Sequence, residues 1–439
     1  MIDKLQQIDD KVIGDRNLTP STFYPFSNKD TSPHLTYDLQ AIIGLLVSHI
    51  NHTTLPKSFE YNNFKESCLA IFEAQLTDPS AKDILEAVFF PSDSIPLISL
   101  VLFQAYSADN KSQKVFNVIF KRMLKQNSTK INFDSKLNFL EERIVNQFKE
   151  LLIKSDEEVS SSSYLPYMDE LFTQDIEFLA GHTHYFTQHA QKFLSLYLFL
   201  YASQLALNLN PNSTIFKKPK SHPLYFILNY EKASAERKHL VNEGYQNLYD
   251  HAKYLFPYLS FLETLINISG NLDLRFYDFF SQFEENKETI EALEAFEQQF
   301  RQQRNLSQKA VKYSTLEEAL KNLLDSVMEQ FQDPKTSRNS IFEKYRRVFE
   351  RQIADPFVQG RQRFGKVLVF EQDTIILLTN IAIAKEKQMR FQDLLVEFEK
   401  RGIYFDQQSR IALIELYERV GNIDKKSDSG DAVYVKTTL

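Results

Sequence analysis

The run from Val367 to Lys436 constrains this chain most. Three apolar-periodic segments come first: Val367 to Gln388, Met389 to Gly402 and Ile403 to Gly421. Two short extended segments follow between Asn422 and Lys436, joined by Asp428-Ser429-Gly430-Asp431. Glycine supplies the positive φ of a tight hairpin, and Asp and Ser side chains bond the turn backbone. This order predicts a winged helix-turn-helix-like module. Asp406 reads as an N-cap, and Gln407 to Val420 as the second helix of the turn unit. Its first turn offers Gln407, Gln408, Ser409 and Arg410, which can bond base edges or phosphates. The hairpin adds Lys425, Lys426 and Lys436, opposed by Asp424, Asp428 and Asp431. The module therefore suits DNA or a protein partner.

Glycine is scarce in the chain as a whole: 10 residues in 439. That argues against glycine-rich phosphate loops, β-meanders and barrels. The 37 Phe and 21 Tyr are ample for a large core. One cysteine, Cys68, excludes an internal disulfide framework and a cysteine-based zinc site, and points to a reducing compartment. The chain opens on a polar stretch of mixed charge without a secretory signal, so the expected location is cytoplasmic. The most apolar run, Phe193 to Leu209, is short for a bilayer span and carries Ser195, Ser203 and Gln204. It reads as a buried core helix.

Three segments are expected. Residues 1–154 read as a helical domain with an extended, proline-containing arm up to about Pro33. Helical patterns follow at Tyr37–Ile50, Asn63–Gln75, Ser80–Phe89, Leu97–Ser107, Ser112–Lys125 and Asp134–Ile153, with Ser80 and Asp134 as caps. The polar run Ser155 to Ser163 is a linker. Residues 164–334 form a central helical domain, with helices over Tyr167–Leu207, Leu224–Asp250 and Leu255–Ile268. The aromatic, amphipathic stretch Asn271–Ser281 continues it. Glu284–Gln303 is so charged that a solvated helix or coiled-coil arm is expected, and Thr315 with Glu318 fits a capping box. Residues 335–439 hold a basic helix and the winged-helix-like module. No repeat of solenoid length is present. The fold class is mainly α, a multi-helical body with a C-terminal winged helix-turn-helix-like module.

Net charge is −7, unevenly spread: residues 335–439 carry 19 basic and 15 acidic side chains, so the remainder carries −11. The basic stretch contains Lys344, Arg346, Arg347, Arg351, Arg361, Arg363 and Lys366, interleaved with Tyr345, Phe349, Phe357 and Phe364. Lys344, Arg347 and Arg351 share one helix face by spacing. Guanidinium groups on one face suit phosphate contacts; the alternative is a solvated helix paired with the acidic body. His182 and His184, with Asp175 upstream, are the metal-ligand candidates, although their spacing matches no metalloenzyme motif. The fragment Gly360 to Lys366 lacks the Ser or Thr of a phosphate loop. No hydrolase or calcium-loop motif occurs. No enzyme and no cofactor are expected.

Three patches carry a family resemblance: GDRNLTPSTFYPF from Gly14, LPYMDELFTQDIEFLAGHTHYFTQHAQKFLSLYLFLYASQLALNLN from Leu165, and the ending from Glu397, most specifically KKSDSGDAVYVKTTL. These resemble the DptG family, accessory proteins of bacterial DNA phosphorothioation-dependent restriction. In that system one protein set replaces a non-bridging phosphate oxygen by sulfur, and a separate three-protein set attacks DNA lacking the mark. The resemblance implies a non-catalytic subunit of that second set, scaffolding two ATPase or motor partners. No family catalytic residue is carried over. Double-stranded DNA is the other expected partner, and a membrane is not. A discriminating pocket for sulfur should pair basic groups with apolar contacts, a composition found between Arg346 and Phe364. The alternatives are a pure protein adaptor and a metal-dependent nuclease built on His182, His184 and Asp175.

Overall fold

In the computed structural model the described residues are 16–75, 81–91, 94–124, 131–133, 136–155, 161–282, 285–309, 312–425 and 433–439. The turn Asp428 to Asp431, Lys426 and the caps Ser80 and Asp134 lie outside them.

The chain is mainly helical. Its first part holds α1 (Leu39–Asn51), β1 (Thr53–Thr54), α2 (Tyr61–Gln75), α3 (Ala81–Phe89), α4 (Asn110–Val115), α5 (Phe139–Glu150) and β2 (Ile153–Lys154). Asp38 starts α1 by accepting from the Gln40 amide. Gly44 then lets α1 lie on the segment beside it, since a Cβ there would sit 2.3 Å from the Phe103 carbonyl oxygen. That neighbouring segment, expected to be an α-helix, is a 3-10 turn over Leu100–Ala105. Leu100 to Phe103 are all buried, and a run with no polar face carries no period to separate the two helix types. α4 runs into a π-turn over Phe116–Phe120.

The expected long helix of the centre is two helices, α6 (Pro166–Ala180) and α7 (Thr183–Asn208), broken at Gly181-His182. Pro166 sits at the start of α6, where its missing N–H has no intrahelical partner to lose. Phe193 to Leu209 is buried on every side apart from a half-exposed Ser195, so this run is the core helix its composition suggests. Among the described residues no helix is long and apolar enough to cross a membrane.

The main elements that follow are β3 (Leu224–Leu228), α8 (Lys238–Glu243), α9 (Tyr245–His251), α10 (Leu255–Ser269), α11 (Lys287–Gln303), α12 (Leu316–Glu329), α13 (Ser337–Phe349), β4 (Val358–Arg361), β5 (Gly365–Phe370), α14 (Gln372–Ile383), β6 (Gln388–Arg390), α15 (Phe391–Lys400), β7 (Ile403–Tyr404), α16 (Gln407–Val420), β8 (Ile423–Lys425) and β9 (Val433–Lys436). Two expectations fail in the sheet that these strands build. Leu224–Leu228 is a strand, not the start of a helix, and Val367–Phe370 belongs to β5, not to the helix that follows. β3 pairs in parallel with β5 on one side and β7 on the other, and β4 runs antiparallel to β5, giving the order β4-β5-β3-β7. A parallel strand covered on both faces reads as a continuous apolar run, the same signal a buried helix gives.

α11 is not a solvated arm. Leu293, Phe296 and Phe300 are buried, and α11 packs against α12. Arg301, 1% exposed, donates to Glu329 at 2.9 and 3.0 Å and to Ser326 Oγ at 2.7 Å. Its charge is neutralised inside the protein, so a charged sequence face became a packed one. At α12 the Thr315 side chain accepts from the Glu318 amide, but the Glu318 carboxylate returns to the Ser314 amide.

The N-terminal arm packs on the body, as its prolines suggest. Phe23, Tyr24 and Phe26 are buried; Glu263 accepts from the Ser21 amide at 2.6 Å and the Thr22 hydroxyl at 3.0 Å. Gln352 bonds the Thr36 amide at 2.8 Å and the Ser32 carbonyl at 3.0 Å. A single hydrophobic cluster includes side chains from Phe23 to Val435. The three expected segments therefore share one core, and strand β3 of the central one lies between two strands of the last.

At the C-terminal end, β6, β9 and β8 form an antiparallel sheet in that order, with Val435 opposite both Met389 and Ile423. α14 precedes β6, and α15 and α16 lie between β6 and β8. Asp406 caps α16 by accepting from the Ser409 amide at 3.0 Å, as its position predicts.

Candidate functional site

The basic stretch folds as α13, a π-turn over Glu350–Ala354, and the β4–β5 hairpin. Thr336 caps α13 through the Asn339 amide. The apolar stripe Phe342, Tyr345, Val348 and Phe349 is buried, with Tyr345 stacked on Phe256 at 4.1 Å. That packing turns Lys344, Arg347 and Arg351 to solvent, the shared face their spacing predicts. Among the described residues none of these three is in an ion pair. Arg351 donates to the Thr31 carbonyl at 2.9 Å, which ties the N-terminal arm to the same helix.

The other cations of this stretch are used differently. Arg346 lies over the Tyr249 ring at 4.3 Å, with Glu343 at 3.1 Å and Asp250 at 3.7 Å. Lys366 pairs with Glu350, which also accepts from the Tyr245 hydroxyl at 2.8 Å. Arg361 donates to the Asn229 carbonyl. Arg363 is exposed in the hairpin turn, outside any ion pair among the described residues. The expected mixture of arginine and aromatic groups is not assembled as a pocket. Tyr345, Phe349 and Phe357 point into the core, where the Phe357 ring lies tilted 4.6 Å from that of Phe199.

The first turn of α16 is held against the body. Arg237, 5% exposed, donates to Asp406 at 2.7 Å and to Ser409 Oγ at 2.7 Å, and pairs with Glu231 at 3.0 Å. Burial alone would raise the Asp406 carboxyl, but the hydrogen bonds from Arg237 and Ser409 outweigh it and hold it below the usual carboxylate range. Ser409 is thus part of the clamp, and Arg410 turns back to the Phe405 carbonyl at 3.0 Å. Gln407 and Gln408 are exposed, and the outer face continues through Ile411, Glu415 and Glu418. Ile411 is 52% exposed, and Tyr230 beside α16 is 48% exposed and donates to the Ala412 carbonyl at 3.1 Å. The two glutamates oppose phosphate, so this face has the chemistry of a protein contact more than of a groove reader. Lys425 lies in β8; Lys426 lies outside the described residues.

The metal candidates are engaged elsewhere. Both Asp175 oxygens accept from Arg401, at 2.6 and 3.2 Å, and the Tyr197 hydroxyl donates to the same carboxylate. His184 faces Glu141 at 3.3 Å, and the His182 ring lies 5.1 Å from that of Phe178. Burial holds the His182 imidazole below its ordinary range. Among the described residues no group of three or more His, Cys, Asp and Glu is placed to hold a metal ion.

Sequence reasoning missed Tyr249 and the clamp of Arg237 on Asp406. No local signal marks them, because Tyr249 meets Arg346, and Arg237 meets Asp406, only through the tertiary fold. No family model and no curated protein matches this mainly helical chain.

Proposed function

We propose that this chain is a non-catalytic subunit of a phosphorothioation-dependent restriction complex, offering the outer face of α13 to duplex DNA and its C-terminal module to an ATPase or motor partner. The family-like patches at Gly14, Leu165 and Glu397 support the assignment to that complex. The observation that carries the DNA contact is the solvent-facing trio Lys344, Arg347 and Arg351. Exposed cations outside ion pairs give up little on meeting phosphate and release its counterions. The order helix, strand, helix, helix, hairpin, with its three-stranded sheet, supports reading the C-terminal module as a winged helix. The clamped first turn and acidic outer face of α16 favour protein docking for that module.

The test is binding of the purified protein to duplexes with and without phosphorothioate across a salt series. The wild type is expected to bind with a steep salt slope. Lys344→Glu, Arg347→Glu and Arg351→Glu together should reduce that slope by roughly 2–3 and abolish binding at physiological salt. Unchanged binding by this variant sinks the assigned surface. A wild type that binds no duplex, yet co-purifies with its partners, leaves the pure adaptor as the function.

A further inference from the structure

The loop from Asn210 to His222 joins the end of α7 to β3 and carries Lys217, Lys218 and Lys220. All three lysines are exposed and, among the described residues, none is in an ion pair. The backbone that bears them is held in place. The Asn208 side chain accepts from the Lys220 amide at 3.1 Å and donates to the Lys220 carbonyl at 3.0 Å. The Lys217 amide donates to the Thr214 carbonyl at 2.8 Å, and Thr214 Oγ1 donates to the Leu207 carbonyl at 3.1 Å. Phe216 anchors the turn among Phe276, Phe279 and Phe280. Ser221 Oγ donates to the Glu399 carbonyl at 2.7 Å, while the Glu399 carboxylate faces Arg410 at 3.8 Å. Three ammonium groups are thus gathered on a pinned backbone, where they repel one another and no ion pair offsets them.

Helix α9 connects this loop to the basic helix. Its Tyr249 and Asp250 hold Arg346 of α13. The next residue, His251, meets Asn210 at 3.3 Å, where the loop begins. Burial depresses the His222 imidazole, and Lys220 and His251 depress it further, so the three lie near one another. Lysine is depleted in protein interfaces and serves phosphate contacts, and Phe216 is spent on its anchor, so the loop offers charge without an apolar contact. A backbone already fixed loses little freedom on binding. We propose that Lys217, Lys218 and Lys220 form a second phosphate-contacting element for duplex DNA, joined through α9 to the one on α13. It rests on the DNA reading of α13 and adds to it a surface that spacing along α13 does not reach.

The experiment is a salt series of binding to a fluorescent duplex, with the full chain. The variant carries Lys217→Gln, Lys218→Gln and Lys220→Gln together. These side chains are exposed, so Tm should not fall, while the salt slope should fall by roughly 2–3. A control variant carries Lys57→Gln and Lys154→Gln, exposed lysines of the first part of the chain that are also in no ion pair among the described residues, and should keep the wild-type slope. An equal fall per charge in the control would mark a general charge effect and overturn the proposal. A slope unchanged by the loop variant, in a protein whose binding still depends on Lys344, Arg347 and Arg351, overturns the loop and leaves the α13 reading standing. A wild type that binds no duplex overturns both. Loss of a co-purifying protein by the loop variant, with an unchanged slope, also overturns the proposal and makes the loop a contact for an acidic protein segment.

Discussion

The Arg401 guanidinium donates to both carboxylate oxygens of Asp175, and each side chain is only 3% exposed. The pair ties the end of α15 to the middle of α6. Burial raises the Asp175 carboxyl, and Arg401 and the Tyr197 hydroxyl pull it back; burial also works against the Arg401 charge, and Asp175 outweighs it. Asp175→Ala leaves a buried guanidinium without its partner and should cost about 3–5 kcal/mol. Asp175→Asn with Arg401→Met should recover a large part of that, because both charges go together. Urea denaturation of the two single variants and the double variant measures the coupling. Additive losses would show that the pair is not coupled.

Arg346 and Lys344 are two residues apart and should behave oppositely. Arg346→Ala removes the cation over Tyr249 and the contacts with Glu343 and Asp250, at about 1 kcal/mol of stability, and should barely move DNA affinity. Lys344→Ala should leave stability within about 0.5 kcal/mol and lower the salt slope by about 1. Thermal unfolding beside a filter-binding salt series separates the two effects. The same phenotype for both variants would refute the division of labour along α13.

Gly402 has φ +83, and a Cβ there would sit 2.1 Å from the Gln204 amide nitrogen and 3.0 Å from the His222 carbonyl oxygen. Its own carbonyl accepts from the Leu224 amide at 3.0 Å, where β7 meets β3. Gly402→Ala should therefore cost more than the conformational penalty alone, about 2–4 kcal/mol, by displacing Gln204 from both its bonds to the His222 backbone. Gln204→Ala in the same background should make the glycine substitution less costly. An unchanged cost would place the strain elsewhere.

His222 links folding to pH. Burial, with smaller contributions from Lys220 and His251, lowers its imidazole to about 4. The unfolded chain takes up this proton near pH 6.5, before the folded chain does. The stability it contributes is therefore complete above that pH and is lost as pH falls towards 4. Partial exposure limits the loss to about 2 kcal/mol. Comparing wild type with His222→Gln by urea unfolding at pH 7 and pH 4.5 isolates it. Equal pH dependence in the two proteins would exclude His222 as the source.

Helical character, the buried run of α7, the Asp406 cap and the exposed trio of α13 were all readable from local spacing. Each depends on a period or a cap that lies within a few residues of the chain. The strands β3 and β5 were not readable, because Leu224–Leu228 and Val367–Phe370 become strands by pairing with each other across distant sequence. Likewise the charge of α11 hid an apolar stripe that α12 and Phe261 of α10 cover. The same limit governs the site. The basic stretch put Arg346 beside Arg347 as a phosphate ligand, but Tyr249 and Asp250 draw Arg346 away. Nearness in sequence to His182 and His184 made Asp175 a metal candidate, and Arg401, more than two hundred residues on, takes both its oxygens. Local sequence determines which side chains share a face; only the packed chain decides which of those faces meet water and which charges are already neutralised.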